Sequence, residues 1–302
     1  MVNFQNLSQL FPEMTIKYNE ALANYSYTKT GGPADVIVFP KSKTEVQQII
    51  DWVNQHQVPL TVFGNLSNLI VRDGGMAGIV MILTQMNHIE VSADGIYAES
   101  GAAMIETSQQ ALAAKFTGLE FACGIPGSVG GAVFMNAGAY EGEVKDCIQY
   151  VDVLTAEGEL KRFSNEESQF TYRNSIFQDN QAVILGAFFA LGKGDSQAIK
   201  ERMDHLTYLR QSKQPLEYPS CGSVFKRPEG YFTGKLIQDA GLQGYRIGGA
   251  EISRKHAGFI VNVAEATATD YTEMIAFIQE TIFNKYGVHL ETEVRILGRE
   301  KE

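Results

Sequence analysis

One run of seventeen residues, from Gly124 to Tyr140, constrains the fold of this chain more than any other segment. It reads G-I-P-G-S-V-G-G-A-V-F-M-N-A-G-A-Y, and its five glycines follow neither a helical nor a strand spacing. Such a run costs backbone entropy, so a folded domain keeps it where the backbone approaches another group closely or takes a positive φ. Peptide N–H groups that no side chain covers are good donors to phosphate. The run predicts either loops that wrap a phosphorylated cofactor or tight turns in a β-rich domain, and by itself it hardly separates the two.

Composition narrows the class of protein. The chain has 302 residues, the length of about two domains, although three small ones are also possible. Its 44% hydrophobic and 20% charged residues are typical of a soluble globular protein. The net charge of −10 argues against non-specific nucleic-acid binding. No leader is visible in residues 1–19, and no apolar run approaches the roughly 18 residues that span a bilayer. We therefore expect a cytoplasmic protein with no nucleic-acid or membrane partner. We also expect a monomer, although composition does not determine the oligomeric state.

Cysteine and histidine usage gives no sign of a metal site. The three cysteines, Cys123, Cys147 and Cys221, are odd in number and lack C-x-x-C spacing, which indicates reduced thiols. The five histidines are scattered, and no paired zinc-ligand motif is present. We expect no bound metal.

Hydrophobic periodicity predicts an α+β chain. Residues 1–86 contain a strand–helix–strand unit, with strands at 35–39, 59–63 and 78–83 and a helix at 44–56 that Ser42 or Thr44 caps. Residues 87–195 contain short strands at 95–98, 150–154 and 182–191 around a helix at 104–115, with the glycine-rich run as irregular structure in their middle. Residues 196–302 contain helices at 198–211 and 271–286 and a final strand at 290–297.

Two details of the last segment are also predicted. Asp270, with Glu273 three residues on, resembles a capping box at the start of the final helix. Alternation along the final strand places Glu291, Glu293 and Arg295 on one face, with the apolar residues between them in the core.

Several polar segments could carry chemistry, yet each also has an ordinary structural reading. G-N-L-S-N-L-I-V at 64–71 suits a phosphate loop at a strand end, although an ordinary loop explains it better, and it is no Rossmann fingerprint. Polar clusters at 172–175, 221–226, 254–258 and 291–295 read individually as surface residues or turns. No G-x-S-x-G elbow is present, so an esterase is not indicated. The residues by themselves do not define a reaction.

The order of the motifs carries a resemblance that no single motif does. The motifs are T-K-T-G-G-P-A-D at 28–35, G-N-L-S-N-L at 64–69, the glycine-rich run, Y-R-N-S at 172–175, G-S-V-F-K at 222–226 and E-V-R at 293–295. This order resembles the UDP-N-acetylenolpyruvoylglucosamine reductase (MurB) family of peptidoglycan synthesis over nearly the whole chain. The glycine-rich run with the downstream Y-R-x-S is the specific part. The chain length and the compact G-S-V-F-K region resemble the shorter of the two family types.

The resemblance implies a fold and a cofactor. The expected fold is an FAD-binding module of the vanillyl-alcohol-oxidase kind, with α+β subdomains at 1–86 and 87–195, followed by an α+β substrate domain at 196–302. The residues implied to hold FAD are Gly64, Asn65, Leu66, Ser67, Asn68, Leu69, Gly124, Ile125, Pro126, Gly127, Ser128, Gly130, Gly131, Asn136 and Gly138.

The resemblance also implies a reaction in two halves. NADPH reduces FAD, and reduced FAD then gives hydride to the enolpyruvyl double bond of UDP-N-acetylglucosamine enolpyruvate, which yields UDP-N-acetylmuramate. Negative charge then develops next to the carboxylate, so the site needs enolate stabilisers and a proton donor. The family's motifs place these roles on Arg173, Ser223 and Glu293, with Ser223 as the acid and a protonated Glu293 beside Arg173 as stabilisers. The residues implied to bind substrate are Tyr140, Arg210, Lys213, Lys226, Glu251 and Arg295, of which Lys226 is also the nearest charge in sequence to Ser223.

Three positions depart from the family pattern. Leu66 stands where a second glycine is usual, and a positive φ there would cost about 1 kcal/mol or more. Arg227 replaces an asparagine, and Glu251 stands where glutamine is common. Two alternatives remain open, which are another FAD-dependent oxidoreductase on the same fold and a non-catalytic protein that binds a nucleotide sugar.

Overall fold

The fold is described from a computed structural model in which residues 4–301 are placed, except that the side chain of Gln5 is left out. Within that range, no helix has both the length and the apolar character needed to cross a membrane. The α-helices are α1 (Leu7–Leu10), α2 (Lys43–His56), α3 (Met104–Ala113), α4 (Val129–Phe134), α5 (Ser196–Lys213), α6 (Thr233–Asp239) and α7 (Ala268–Tyr286).

The strands are short and numerous. They are β1 (Thr15–Ala21), β2 (Pro33–Phe39), β3 (Leu60–Phe63), β4 (Leu69–Val71), β5 (Met76–Ile82), β6 (Ile89–Val91), β7 (Gly95–Glu99), β8 (Phe116–Thr117), β9 (Gly138–Ala139), β10 (Gly142–Glu143), β11 (Ile148–Leu154), β12 (Leu160–Ser164), β13 (Val183–Ala190), β14 (Gly192–Lys193), β15 (Ser220–Ser223), β16 (Arg246–Ile247), β17 (Ala250–Ile252), β18 (Phe259–Asn262) and β19 (Arg295–Leu297). The mixture of helices and mostly antiparallel sheets confirms the α+β prediction.

The chain divides into two compact units, and neither is continuous in sequence. The first unit comprises Met1–Lys17, Val36–Asn65 and Gly78–Arg210. The second comprises Tyr18–Asp35, Leu66–Ala77 and Gln211–Glu302. Among residues 4–301 there are three apolar cores, two in the first unit and one in the second, and two of these cores draw residues from more than one predicted domain. A division into domains at 1–86, 87–195 and 196–302 therefore stays a proposal.

The first core of the first unit lies between α2 and a four-stranded sheet in the order β1-β2-β5-β3. Helix α2 begins where expected, because the Ser42 hydroxyl accepts a hydrogen bond from the Glu45 N–H at its first turn. Val46, Ile49 and Val53 lie on its buried face. The predicted helix and the strands around it are thus confirmed.

The second core of the first unit lies beneath an antiparallel sheet in the order β12-β11-β13-β7-β6. Helices α3 and α4 contribute Met104, Val129 and Val133 to this core. Helix α4 corrects the prediction that the glycine-rich run lacks regular structure. Two glycines disfavour a helix here by about 1 kcal/mol each, but a Cβ at Gly130 would lie only 1.9 Å from the Ser100 Oγ. Close packing therefore requires glycine at that position.

The second unit is built on an antiparallel sheet in the order β15-β18-β17-β16, with α7 packed on one face. The capping box of α7 is Thr267 with Asp270, so Asp270 is its third helical residue and the predicted pairing with Glu273 was wrong. The predicted strand at 290–297 is also shorter than expected. Only β19 is regular there, and it pairs in parallel with β4.

Candidate active site

Ser223 reaches one face of the second unit's sheet through a β-bulge. Ser220 lies opposite Val261 in the antiparallel register, and Ser223 lies opposite Phe259. Val261 and Phe259 are two residues apart and share a face, so Ser220 and Ser223 share that face although they are three residues apart. The extra residue is accommodated where Gly222 takes a φ of 78°. A regular strand would turn Ser223 to the opposite face.

Backbone hydrogen bonds join the G-S-V-F-K and E-V-R motifs. The Glu293 N–H donates to the Val224 carbonyl oxygen at 2.8 Å. The Lys226 N–H donates to the Glu291 carbonyl oxygen at 2.9 Å, and the Lys226 ammonium lies 3.3 Å from the Glu291 carboxylate. The structure therefore brings the predicted residues Ser223 and Glu293 into adjacent segments. The bend at Glu293 also means that the predicted strand alternation from Glu291 to Arg295 was wrong.

The same C-terminal segment holds part of the first predicted cofactor loop. The Asn68 side-chain amide donates to the Glu293 carbonyl oxygen at 3.2 Å, and the Arg295 N–H donates to the Asn68 carbonyl oxygen at 3.2 Å. Leu69 pairs with Arg295 in the parallel register, and Ser67 lies in the half-buried turn before it. Burial lowers the pKa of the Arg295 guanidinium. An anion next to Arg295 would offset the cost of removing this cation from water.

Leu66 takes a positive φ of 46°, as its place in the loop had suggested. Its side chain is buried, and its carbonyl oxygen accepts a hydrogen bond from the Tyr27 N–H. Burial of a leucine side chain stabilises the fold by about 1.5–3 kcal/mol, against about 1–2 kcal/mol of left-handed strain. The departure from glycine at this position is therefore compatible with a well-packed loop.

In the first unit, the glycine-rich run packs closely against the end of β3. A Cβ at Gly64 would lie 2.1 Å from the Ser128 Oγ. The Asn65 side-chain amide donates to the Pro126 carbonyl oxygen at 3.1 Å. The Ser128 hydroxyl in turn accepts from the Gly131 N–H at 3.3 Å and begins α4. The two predicted cofactor loops thus meet at Gly64 and Ser128.

The backbone at residues 125–128 has donors that suit the diphosphate of a dinucleotide cofactor. The Gly127 carbonyl oxygen accepts from Met104 N–H, and the Ile125 N–H donates to Ala122, which fixes the backbone on both sides of Pro126. Within residues 4–301, the peptide N–H groups of Gly127 and Ser128 have no protein acceptor. Adjacent peptide donors next to glycine, where no side chain intrudes, suit an anionic oxygen.

Arg173 lies at the tip of a tight turn in the first unit, with a φ of 57°. Its guanidinium donates to the Gly138 carbonyl oxygen at 3.1 Å. The fully buried Asn136 supports this turn, because its amide donates to the Thr171 carbonyl oxygen at 3.0 Å and to the Glu143 carboxylate at 2.8 Å. These protein contacts occupy the Asn136 side chain, so we expect it to position Arg173 and Gly138 rather than to touch flavin.

Tyr140 and Arg210 come together in the same unit. Tyr140 and Glu141 form the two-residue turn between β9 and β10, with φ values of 50° and 71° that are unusual for side chains of this size. Burial raises the pKa of Tyr140, and the Arg210 charge partly opposes this rise. Burial also lowers the pKa of Arg210. A Cβ at Gly124 would lie 2.7 Å from the Arg210 Cδ, so glycine leaves room for this side chain.

The other predicted substrate residues lie in the second unit. Lys213 is the exposed last residue of α5, and Lys226 forms an ion pair with Glu291. Glu251 is buried and both its oxygens are bound by arginines, which the sequence had not suggested. Of the predicted catalytic residues, Arg173 belongs to the first unit, whereas Ser223 and Glu293 belong to the second. The roles assigned to all these residues stay predictions.

Sequence reasoning overlooked two contributors to this geometry. Gly222 entered the sequence analysis only as part of the G-S-V-F-K motif. A glycine within a strand can indicate a β-bulge, and that signal was not used. The Val224 carbonyl oxygen carries no sequence signal, because any residue provides a carbonyl group.

Known proteins are similar to this chain over nearly its whole length. Residues 34–164 match the family model described as "FAD binding domain", and residues 214–297 match "UDP-N-acetylenolpyruvoylglucosamine reductase, C-terminal domain". The chain is 56% identical over 297 residues to the UDP-N-acetylenolpyruvoylglucosamine reductase of Pediococcus pentosaceus, covering 98% of this chain and 99% of that relative. It is 55% identical over 295 residues to that of Staphylococcus aureus, covering 98% and 96%. The crystal structure of the reductase (MurB) from Thermus caldophilus is similar with a TM-score of 0.81 and 31% identity, covering 94% of this chain and 99% of that one.

Proposed function

Because the chain belongs to the UDP-N-acetylenolpyruvoylglucosamine reductase family, we propose that it uses NADPH to reduce UDP-N-acetylglucosamine enolpyruvate to UDP-N-acetylmuramate. The chain is an FAD-dependent oxidoreductase of peptidoglycan precursor synthesis.

When bound, FAD supplies the hydride chemistry, taking a hydride from NADPH and delivering it to the terminal carbon of the enolpyruvyl group. The chain's own part is to hold the cofactor. The peptide N–H groups of Gly127 and Ser128 would donate hydrogen bonds to the FAD diphosphate. Gly64 has no side chain, which allows β3 to pack closely against Ser128. The close fit of Gly64 to Ser128 supports this assignment.

The proton step rests on the second unit. Hydride addition at the terminal carbon leaves negative charge on the carbon next to the carboxylate, delocalised as an enolate. Ser223 would give that carbon its proton, and Glu293 and Arg173 would stabilise the enolate oxygens. The observation that carries the proposal is the 2.8 Å hydrogen bond from the Glu293 N–H to the Val224 carbonyl oxygen, which keeps Glu293 next to the Ser223 strand.

Desolvated arginines support an anionic substrate. Burial lowers the pKa of both Arg210 and Arg295, and a bound anion would favour the charged form of these guanidinium groups. We assign substrate binding to these two residues together with Tyr140, Lys213 and Lys226. We propose that Glu251 contributes to substrate binding indirectly, through its ion pairs with Arg246 and Arg254.

The cellular setting is part of the proposal. We propose a cytoplasmic monomer without nucleic-acid or membrane partners. The net charge of −10 disfavours binding to nucleic acid and to anionic lipid. The cysteines, Cys123, Cys147 and Cys221, are free thiols, which suits a reducing compartment.

Anaerobic flavin spectroscopy tests the reaction. Purified protein should be yellow, should bleach with one equivalent of NADPH, and should regain its colour when UDP-N-acetylglucosamine enolpyruvate is added. UDP-N-acetylglucosamine without the enolpyruvyl group is the matched control and should leave the flavin reduced. A colourless protein that takes up no FAD, or reduced flavin that stays bleached with the enolpyruvyl substrate, would contradict the proposal. Reoxidation by a different acceptor alone would favour another flavin oxidoreductase.

A further inference from the structure

We propose that Glu251 orients Arg246 and Arg254 as a pair that binds the diphosphate of a nucleotide ligand. This inference rests on the proposed function, since both the nucleotide sugar and NADPH carry a diphosphate. It assigns Glu251 a positioning role and gives a binding role to two arginines on the sheet that carries Ser223.

The geometry around Glu251 is that of a buried carboxylate between two cations. Glu251 is only 5% exposed. The Arg246 Nε lies 2.5 Å from the Glu251 Oε2, and the Arg254 Nε lies 3.2 Å from its Oε1. Each carboxylate oxygen therefore fixes one guanidinium group by its ε nitrogen.

The η nitrogens of both arginines remain available. The side chains of Arg246 and Arg254 are 56% and 73% exposed. In the described part of the chain, the η nitrogens of these residues have no hydrogen-bond acceptor. A Cβ at Gly244 would lie 2.7 Å from the Arg254 guanidinium carbon, so that planar group lies against glycine backbone. Ordered guanidinium groups with free N–H donors match the oxygens of a diphosphate.

Stability alone gives little reason for this arrangement. Burying a carboxylate is costly, and its ion pairs often do no more than offset that cost. Two arginines around one carboxylate leave a net positive charge in a chain whose net charge is −10. A local cation pair in an acidic protein favours an anionic ligand.

The sheet register relates this pair to the predicted chemistry. Ser220, Val261, Glu251 and Arg246 form one row across β15, β18, β17 and β16. They therefore share the face that Ser223 occupies. Three inter-strand spacings separate Arg246 from Ser220, which is roughly 14 Å. Arg246 and Ser223 therefore lie on one face of the same four-stranded sheet, on its two outer strands, with the buried Val261 and Glu251 between them.

Nucleotide titration of the FAD-loaded protein tests the pair and separates the two sources of diphosphate. UDP serves as the probe for the nucleotide sugar, and NADP⁺ serves for the dinucleotide. Arg246→Ala and Arg254→Ala should each raise the Kd of one of these probes about 10- to 100-fold. Loss of UDP binding assigns the pair to the nucleotide sugar, and loss of NADP⁺ binding assigns it to NADPH. Lys235→Ala is the matched control, because it removes one exposed positive charge from an ion pair on α6 of the same unit.

Glu251→Gln distinguishes positioning from simple electrostatics. Removing a negative charge next to two arginines would tighten anion binding if charge alone mattered. We expect weaker binding instead, because the guanidinium groups lose their orientation. The proposal is overturned if both arginine variants keep both Kd values within about threefold of wild type, or if Glu251→Gln binds the probe more tightly. Since both arginines are exposed, their variants test the pair even if Glu251→Gln does not fold. If the wild-type protein binds neither UDP nor NADP⁺, both the arginine-pair proposal and the proposed function are wrong. If the wild-type protein binds them normally and the arginine variants do too, only the arginine-pair proposal is wrong.

Discussion

The peptide N–H of Glu293 donates to the carbonyl oxygen of Val224 at 2.8 Å. This bond joins two motifs that lie far apart in sequence, and it involves only main-chain atoms. Substitution of the Ser223 or Glu293 side chain leaves both bonding partners in place. Variants at these positions therefore report on side-chain chemistry with little disturbance of the framework.

The bulge at Gly222 should matter more for activity than for stability. Gly222→Ala introduces left-handed strain of about 1–2 kcal/mol, while nothing lies within 4 Å of the new Cβ. Relief of that strain would regularise β15 and turn Ser223 away from its face. We expect at least a tenfold loss of kcat in a steady-state NADPH oxidation assay.

Gly241→Ala is the matched control for this bulge. Gly241 has a φ of 78°, equal to that of Gly222, and its Cβ position is also open. Both variants should lower the melting temperature by a similar amount, but Gly241→Ala should keep near-normal kcat. Equal activity of the two variants would show that the bulge does not orient Ser223.

Replacement of Leu66 by glycine should destabilise the protein although it removes strain. Loss of a buried leucine side chain costs about 2–5 kcal/mol, and relief of a positive φ returns only about 1–2 kcal/mol. We expect a net loss of about 1–3 kcal/mol in the free energy of unfolding, measured by urea denaturation.

Lys115→Gly supplies the comparison for Leu66. Lys115 has a φ of 60° but an exposed side chain, so the substitution removes strain without removing core contacts. It should be neutral or stabilising by up to about 1 kcal/mol. If Leu66→Gly stabilises the protein as much as Lys115→Gly does, the buried leucine contributes less than the strain it brings.

Asp73 should make stability depend on acid pH through the start of α7. Its carboxylate accepts from the Ala268 N–H at 3.0 Å and from the N–H and hydroxyl of Thr269 at 2.9 and 2.7 Å. Burial by itself would raise the pKa of Asp73, but these hydrogen bonds outweigh it and hold the pKa below its ordinary value. A group with a lowered folded-state pKa stabilises the fold above its unfolded pKa of about 3.9 and loses that effect as pH falls further.

Asp73→Asn should therefore lower the melting temperature at pH 7, by the equivalent of about 1 kcal/mol. The difference from wild type should stay constant down to about pH 5 and shrink below pH 4. Asp94→Asn, in the exposed turn between β6 and β7, is the matched control, because it makes the same substitution away from the start of α7. A difference that is independent of pH would mean that the Asp73 charge is not what stabilises α7.

The elements that the sequence predicts well are those with a local cause. Helix α2 follows from apolar residues at helical spacing and from the Ser42 cap. The capping box of α7 is also local, and Thr267 with Asp270 was overlooked in favour of a pair three residues later. The positive φ of Leu66 could be anticipated because the loop needs glycine-like geometry at that position.

The elements that the sequence did not predict have non-local causes. Helix α4 forms despite its glycines because Gly130 packs against Ser100. The final strand is interrupted because the N–H groups of Glu293 and Val294 both turn to Val224. Such contacts depend on segments that are distant in sequence, so no local pattern encodes them.

Anaerobic stopped-flow spectroscopy of Ser223→Ala determines whether Ser223 supplies the proton in the second half-reaction. Flavin reduction by NADPH should remain near the wild-type rate, and reoxidation by UDP-N-acetylglucosamine enolpyruvate should slow at least about 100-fold, within the range of general acid catalysis. Ser220→Ala, on the same strand and face, should leave both half-reactions unchanged. Reoxidation of Ser223→Ala at the wild-type rate would mean that Ser223 is not the proton donor.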